Sequence, residues 1–293
     1  MKHDHIYNHL NALEFLIVNR KKEWEQILKT IGSIDANQFL KISNDKTRSG
    51  EIVYNQVAIN NEFKRILGSS DWNEKRTEYY VTSDIPTAKE IVRVKDAELQ
   101  KQAIENKGYK ALSTYNQVDF VKDRVAIEVQ FGKYFSVAYD LHVKHTFFFL
   151  RDEIDVGIEI IPTHAMMRRM DSGVSWFENE ITNVIREGRN NPSVPIVIIG
   201  IEPEDLIPEP KAVARAESAR KRLDKIIETI HNVEGKLNIA KQKGNPKKIA
   251  VIEGKLADLQ KEMGQLQAVW DVFKVDAQRT KELKARLQKN NNQ

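Results

Sequence analysis

The stretch "QVDFVKDRVAIEVQFGKY", residues 117–134, decides how this chain is read. Two apolar runs, "QVDFV" and "RVAIEVQF", flank the charged pair "KD", which is a β-hairpin signature. Each run carries an acid, Asp119 in the first and Glu128 in the second, and Gln130 follows two residues later. A carboxylate in a core strand is costly unless something pairs with it. Two strands of one hairpin can set Asp119 and Glu128 side by side at a common site, where they repel each other unless a cation intervenes. Mg2+ takes oxygen ligands and keeps several waters, so two carboxylates plus a backbone carbonyl suit it. Such an ion polarises a phosphate oxygen and makes an attacking water more acidic, which is the chemistry of phosphodiester hydrolysis. The bland alternative is a pair of salt-bridged acids at a sheet rim, neutralised by Lys122, Arg124 or Lys133.

Outward from this hairpin, "YFSVAYDLHVKHTFFFLRD" predicts a long, mostly buried helix, and "DVGIEIIP" a strand closed by Pro162. "VSWFENEITNVIREG" is amphipathic, with Phe177, Ile181, Val184 and Ile185 on one face and a stop at Gly188. "VPIVIIGI" reads as a buried strand. Toward the N-terminus, Leu10, Leu13, Ile17, Trp24, Ile27 and Ile31 fit one face of a helix ending at Gly32. "EIVYNQVAI" is strand-like, and "TAKEIVRVKDAELQKQAIENKG" predicts a helix ended by Gly108. Strands alternating with helices imply an α/β fold, a mixed central sheet flanked by helices.

A proline-rich boundary, "PEDLIPEPK", separates this region from a different pattern. Leu223, Ile226, Ile230, Val233, Leu237 and Ala240 recur at alternating three- and four-residue spacing, "KGNPKK" interrupts, and a second seam follows. Ile249, Ile252, Leu256, Leu259, Met263, Leu266, Trp270 and Phe273 form it. Two heptad seams around a turn describe an antiparallel helical hairpin with coiled-coil packing. The expected domains are therefore residues 1–207 and a helical hairpin at 211–290. Residues from Lys211 onward carry a net +9 against −5 for residues 1–210. The hairpin is thus a separate electrostatic object, suited either to extending a subunit interface or to gripping phosphates.

Among the 293 residues there is no cysteine, which excludes disulfides and thiolate metal sites and fits a reducing cytoplasm. The N-terminal segment has only the four-residue apolar run Phe15–Val18, so neither a signal peptide nor a membrane span is expected. His142 and His145, three apart on the expected helix, read as ordinary helix histidines, because no further ligand cluster accompanies them.

Asp119, then "EVQ" at 128–130 and "FGKY", resembles the PD-(D/E)xK nuclease pattern, with Gln130 where most members have lysine. That Glu-x-Gln form is similar to the BglII and BstYI group of type II restriction endonucleases. "DLHVKHTFFFLRDEIDVGIEIIP", "MRRMDSGV" and "VPIVIIGIEP" continue the likeness in the same order over roughly residues 100–205. The helical hairpin lies outside it. The resemblance implies a restriction-endonuclease-like fold and a Mg2+-dependent enzyme that cuts double-stranded DNA as a homodimer. The site would be a palindrome centred on GATC, and a DNA methyltransferase would be encoded nearby. It implies that Asp119, Glu128 and the Val129 carbonyl ligate the metal, while Gln130 orients the attacking water or a phosphate oxygen. An amide does not titrate near neutrality, so Gln130 is no general base, and it brings no positive charge to the transition state. For DNA contacts the expected residues are Lys133, Ser172, Asn116, Arg168 and Arg169. Lys133 is suited to guanine and the two arginines to phosphates. Ser172 is equally suited to capping the helix that follows. A repair or recombination nuclease on the same core, and a non-catalytic DNA-binding scaffold using the coiled coil, remain open alternatives.

Overall fold

The alternating pattern of the first two hundred residues becomes, in the computed structural model describing residues 1–291, a six-stranded sheet between helices. In chain order the elements begin with β1 (Lys2–His9), α1 (Ala12–Asn19), α2 (Lys21–Ser33), β2 (Leu40–Ile42), β3 (Ile52–Tyr54) and α3 (Gln56–Gly68). Next come β4 (Asn73–Val81), α4 (Ile85–Ile91), α5 (Ala97–Glu105), β5 (Leu112–Lys122) and β6 (Val125–Val129). A helical stretch follows: α6 (Tyr134–Tyr139), a π-helical segment Asp140–His145, and α7 (Thr146–Leu150). The series closes with β7 (Val156–Pro162), α8 (His164–Met167), α9 (Phe177–Glu187), β8 (Ile196–Glu202), α10 (Pro210–Gln242) and α11 (Pro246–Asn291).

The sheet order is β1-β8-β7-β6-β5-β4. Strands β6, β7 and β8 run parallel, and β5, β4 and β1 antiparallel to their neighbours. The parallel core strands are near-continuous Val/Ile runs because both their faces are covered. On one face, Val137, Leu141, Phe177 and Val184 pack onto Ile161, Ile196 and Ile198. Phe148 packs beside them onto Val118 and Ala126. Ile158, Ile160, Val197 and Ile199 alternate onto the opposite face and are wholly buried. Burying each such side chain contributes about 1.5–3 kcal/mol.

The β5–β6 hairpin is present, but its two-residue turn is Asp123–Arg124, one residue later than "KD". Both residues have positive φ, 45° and 65°, the geometry that matches the twist of flanking strands. Arg124 offsets the strain by donating to Asp155 Oδ1 at 2.9 Å, Asp152 Oδ1 at 2.7 Å and the Asp152 carbonyl at 2.6 Å.

Several expectations are corrected. The N-terminal helix is two helices broken at Arg20, whose backbone leaves the helical region, and a strand, β1, precedes it. "EIVYNQVAI" divides into β3 and the start of α3, where the Asn55 side chain caps the helix by accepting from Ala58 N. The helix expected up to Gly108 is two helices, each N-capped by an aspartate, Asp84 and Asp96. Strand β4 had no clear signature, because its alternation is diluted by charged residues on a sheet edge. The helix after the hairpin is not mostly buried: Tyr134, Phe135, Tyr139, Val143 and Leu150 are exposed.

Residues 1–40 with 54–206 form one compact unit, and residues 41–53 join the chain from 207 onward in the second. In the second, α10 and α11 are antiparallel around a turn in which Gly244 has φ 62°. Leu223, Ile226 and Leu266 form its core with Ile230 and Met263 beside them, as the seams require. Val213, Ala216 and Ala277 continue that core toward Trp270 and Phe273. No helix among the described residues is long and apolar enough to cross a membrane.

Gly200 on β8 lies against Phe177, whose ring would stand 2.7 Å from an added Cβ. Gly200→Ala is expected to destabilise the first unit by about 1–3 kcal/mol through overpacking. Urea unfolding followed by circular dichroism checks this, with a lowered midpoint and unchanged slope as the outcome.

Candidate active site

Glu128 sits in the middle of the sheet on β6, only 2% exposed, directly beside Glu159 of β7 in the parallel register. Residues paired in this way point to the same face, here the one covered by the π-helical segment. The wider π turn keeps Asp140, Leu141 and His145 buried against the sheet and brings Lys144 over Glu128. Lys144 Nζ lies 2.9 Å from Glu128 Oε1 and 2.7 Å from Asp140 Oδ1. The expected neutralisers are engaged elsewhere. Lys122 donates to the Ser70 carbonyl, Arg124 holds Asp152 and Asp155, and Lys133 is exposed near the Phe135 ring.

Asp119 reaches the same region from β5. The β4–β5 pairing shifts by one between Asn73↔Val121 and Lys75↔Val118, which puts a bulge at Asp119 and Phe120. Bulges re-aim side chains, and the Asp119 carboxylate turns toward β6, where Oδ2 is 3.4 Å from the Val129 amide nitrogen. The Gln130 amide is held at both ends. Its Oε1 accepts from Gly132 N at 2.8 Å and its Nε2 donates to Asp140 Oδ2 at 2.9 Å. Gly132 permits this, since a Cβ there would stand 2.5 Å from that oxygen. The Gln130 amide thus holds Asp140.

Burial, then the charges of Asp119 and Asp140, push the Glu128 pKa well above the ordinary carboxylate range, against the pull of Lys144. Burial also raises Asp140, with Lys144 and Gln130 opposing. Burial alone would lower Lys144, but Glu128 and Asp140 outweigh it, so its proton is held more firmly than usual. Behind this pair, Glu159 and His145 are wholly buried, and none of their side-chain N or O atoms has a hydrogen-bond partner among the described residues. Their closest approach, 3.5 Å, has the spacing of an ion pair, yet burial opposes charge on both groups. Burial raises Glu159 well above its ordinary value, and burial followed by Lys144 lowers His145 to about 3. Gly157, two residues before Glu159, admits the His145 ring, which would clash with a Cβ.

Three candidates escaped sequence reasoning, Asp140, Lys144 and Glu159, while His145 reads as an ordinary helix histidine. The signal that singles out Glu128, an acid inside an apolar strand, recurs at Glu159 in "DVGIEIIP". Asp140 and Lys144 are spaced as a helical i,i+4 pair, a common surface pattern that does not mark a site. His142 pairs with Glu187 at 3.0 Å, away from His145's partner.

Of the expected DNA-contacting residues, Lys133 and Ser172 are brought together. Lys133 bridges to Val174, and Tyr134 N donates to the Gly173 carbonyl at 2.7 Å, leaving Lys133 and Ser172 exposed. Ser172 is not the cap of α9; that position is Trp176. Arg168 and Arg169 follow α8 and are partly buried, with Arg169 Nη1 donating to the Ala165 carbonyl at 2.7 Å. Asn116 is 3% exposed and accepts from Tyr139 Oη at 3.0 Å.

Carboxylate and carbonyl oxygens such as those of Asp119, Glu128 and Val129 are the donor type that could hold a hard divalent cation. The need for positive charge is visible in the Lys144 ammonium drawn between Glu128 and Asp140. Among the described residues, no three His, Asp or Glu side chains are already gathered as a metal-binding cluster.

The mixed sheet between helices is a restriction-endonuclease-like α/β fold. The family model described as Restriction endonuclease BglII/BglIII matches residues 5–201, and the chain belongs to that family. It is accordingly a type II site-specific deoxyribonuclease acting on double-stranded DNA. The match begins within β1 and ends before the helical hairpin. A comparison with curated proteins gives no match.

The neutral Glu159–His145 pair makes stability depend on pH in two opposite ways. Above its ordinary value of 4.5, Glu159 ionises in the unfolded chain but stays protonated when folded, so stability falls as pH rises. Below 6.5, His145 binds a proton only when unfolded, so stability falls as pH drops toward about 3. Relative to wild type, metal-free Glu159→Gln is expected to gain stability steadily as pH rises above its ordinary value of 4.5. Urea midpoints across that range check it.

Proposed function

We propose that this chain is a Mg2+-dependent PD-(D/E)xK endonuclease of the Glu-x-Gln type. It acts as a homodimer on a palindrome centred on GATC, with AGATCT- or RGATCY-like sites as the specific expectation. The observation that carries the reading is Glu128, an acid buried in the central sheet beside Asp119 and already paired with a cationic group. An acid this deep has no folding purpose that an apolar residue would not serve better.

Asp119, Glu128 and the Val129 carbonyl would hold Mg2+, which when bound supplies a Lewis acid for the phosphate and a more acidic water. The remaining work belongs to the chain. Gln130 fixes Asp140, and Gly132 fixes Gln130. The bulge on β5 keeps Asp119 turned toward β6. The Phe148–Val118–Ala126 packing holds helix and hairpin together beneath the reacting groups. Lys133 and Ser172, adjacent at one exposed loop pair, are suited to base edges in the major groove, and Arg168 and Arg169 to phosphates.

Support for a homodimer comes from the exposed apolar stripe Phe135, Tyr139, Val143 and Leu150 along α6–α7. A two-fold axis would match a palindromic site. The same reading places the enzyme in the cytoplasm with a protecting DNA methyltransferase encoded nearby.

Incubation with Mg2+ and plasmid DNA is expected to give discrete fragments whose sequenced ends share a GATC core, with chelation abolishing cleavage. Asp119→Asn or Glu128→Gln is expected to slow cleavage by ~10²–10³-fold or more. A smear or structure-dependent nicking would instead favour a repair nuclease. Undiminished cleavage by Glu128→Ala would overturn the site. Leu150→Glu with Val143→Glu is expected to halve the solution mass measured by light scattering.

A further inference from the structure

Gln130 leaves the strand without the positive charge that a lysine would bring, and the structure holds one elsewhere. The Lys144 ammonium is the only cationic group contacting Glu128 and Asp140 among the described residues. Its side chain is 20% exposed, while those of its two partners are 1–2% exposed, so it is the member of the trio that faces solvent. We propose that Lys144 is the mobile counter-ion of this site: it neutralises Glu128 in the metal-free protein and becomes the cation beside the scissile phosphate once a metal ion takes that carboxylate. The inference rests on the nuclease reading above.

The geometry provides both states. A divalent ion on Glu128 and an ammonium on the same carboxylate repel each other, so the ammonium must yield that contact. It need not leave. Asp140, four residues earlier on its own helical segment, accepts from Lys144 at 2.7 Å through Oδ1. The other Asp140 oxygen is fixed by Gln130 at 2.9 Å. Asp140 is thus a tether anchored from the strand, and Gln130 acts on the reaction through it as a positioning residue. The glutamine supports the helix-borne charge instead of supplying one. A lysine is suited to this task because its four-carbon stem is flexible and its ammonium has three donors.

Two readouts separate this from a purely structural ion pair. Mn2+ binding to the metal-free protein, followed calorimetrically, is expected to tighten by about tenfold or more in Lys144→Met, because a competing cation is gone. Single-turnover cleavage of plasmid at saturating Mg2+ is expected to fall by ~10²–10³-fold in the same variant, and to recover at least about tenfold of that in Lys144→Arg. Unchanged or weaker Mn2+ binding, or cleavage within about threefold of wild type, would overturn the proposal. If Lys144→Met does not fold, the wild type itself carries the test. In lysine-labelled protein, the Lys144 side-chain NMR signal, assigned by its loss in Lys144→Arg, is expected to move as Ca2+ is added. A signal that stays put while Ca2+ binds overturns the idea. Failure of the wild type to cut DNA would strike the nuclease reading instead.

Discussion

Burying Glu128 in the centre of a sheet creates a debt of charge that the surrounding elements are arranged to meet. An isolated ionised carboxylate is very costly away from water, and breaking a buried pair by removing one partner costs about 3–5 kcal/mol. The helix above the sheet answers by presenting Lys144, and the π-helical segment widens the turn so that Asp140, Leu141 and His145 face inward together. The apolar packing of Leu141 and Phe148 fixes that helix on the sheet, so the ion pair is held by hydrophobic contacts on both sides. Stability and chemistry thus meet in one short stretch.

Charge is graded across the site. Asp119 lies at a bulge and is partly exposed, Glu128 is buried but paired, and Glu159 is buried and neutral. Burial pushes Glu128 and Glu159 above the ordinary carboxylate range, and Glu159 with His145 forms a buried polar floor behind Glu128. Four buried side-chain atoms of that floor have no hydrogen-bond partner among the described residues, a cost the fold carries beside β6.

The helical hairpin is a different kind of object. Its seams close a coiled coil through Leu223, Ile226, Leu266 and their neighbours, and its charge balance is opposite in sign to that of the rest of the chain. The family match stops at residue 201, before it begins. Its core is built from residues at heptad spacing on two neighbouring helices, which is why a heptad pattern alone sufficed to read it.

The sequence by itself determined the β5–β6 hairpin, strands β7 and β8, the amphipathic α9 and both heptad seams, because periodicity and apolar runs are local properties. It also marked Asp119 and Glu128, since an acid in an apolar strand is conspicuous without any coordinates, and the family resemblance marked Gln130. Edge strands β1 and β4 stayed hidden, because polar residues on an edge blur alternation, and at the break the Arg20 guanidinium bonds residues far along the chain, the Asp123 carbonyl and Asp155. Only the tertiary structure decided who neutralises Glu128. Lys122, Arg124 and Lys133 are nearer in sequence, but each is drawn to other partners, while Lys144 arrives from a helix laid across the sheet. Likewise Asn116 became a buried partner of Tyr139, and Lys133 came to lie beside Ser172. Such pairings depend on which faces meet in space, and no spacing along the chain encodes that.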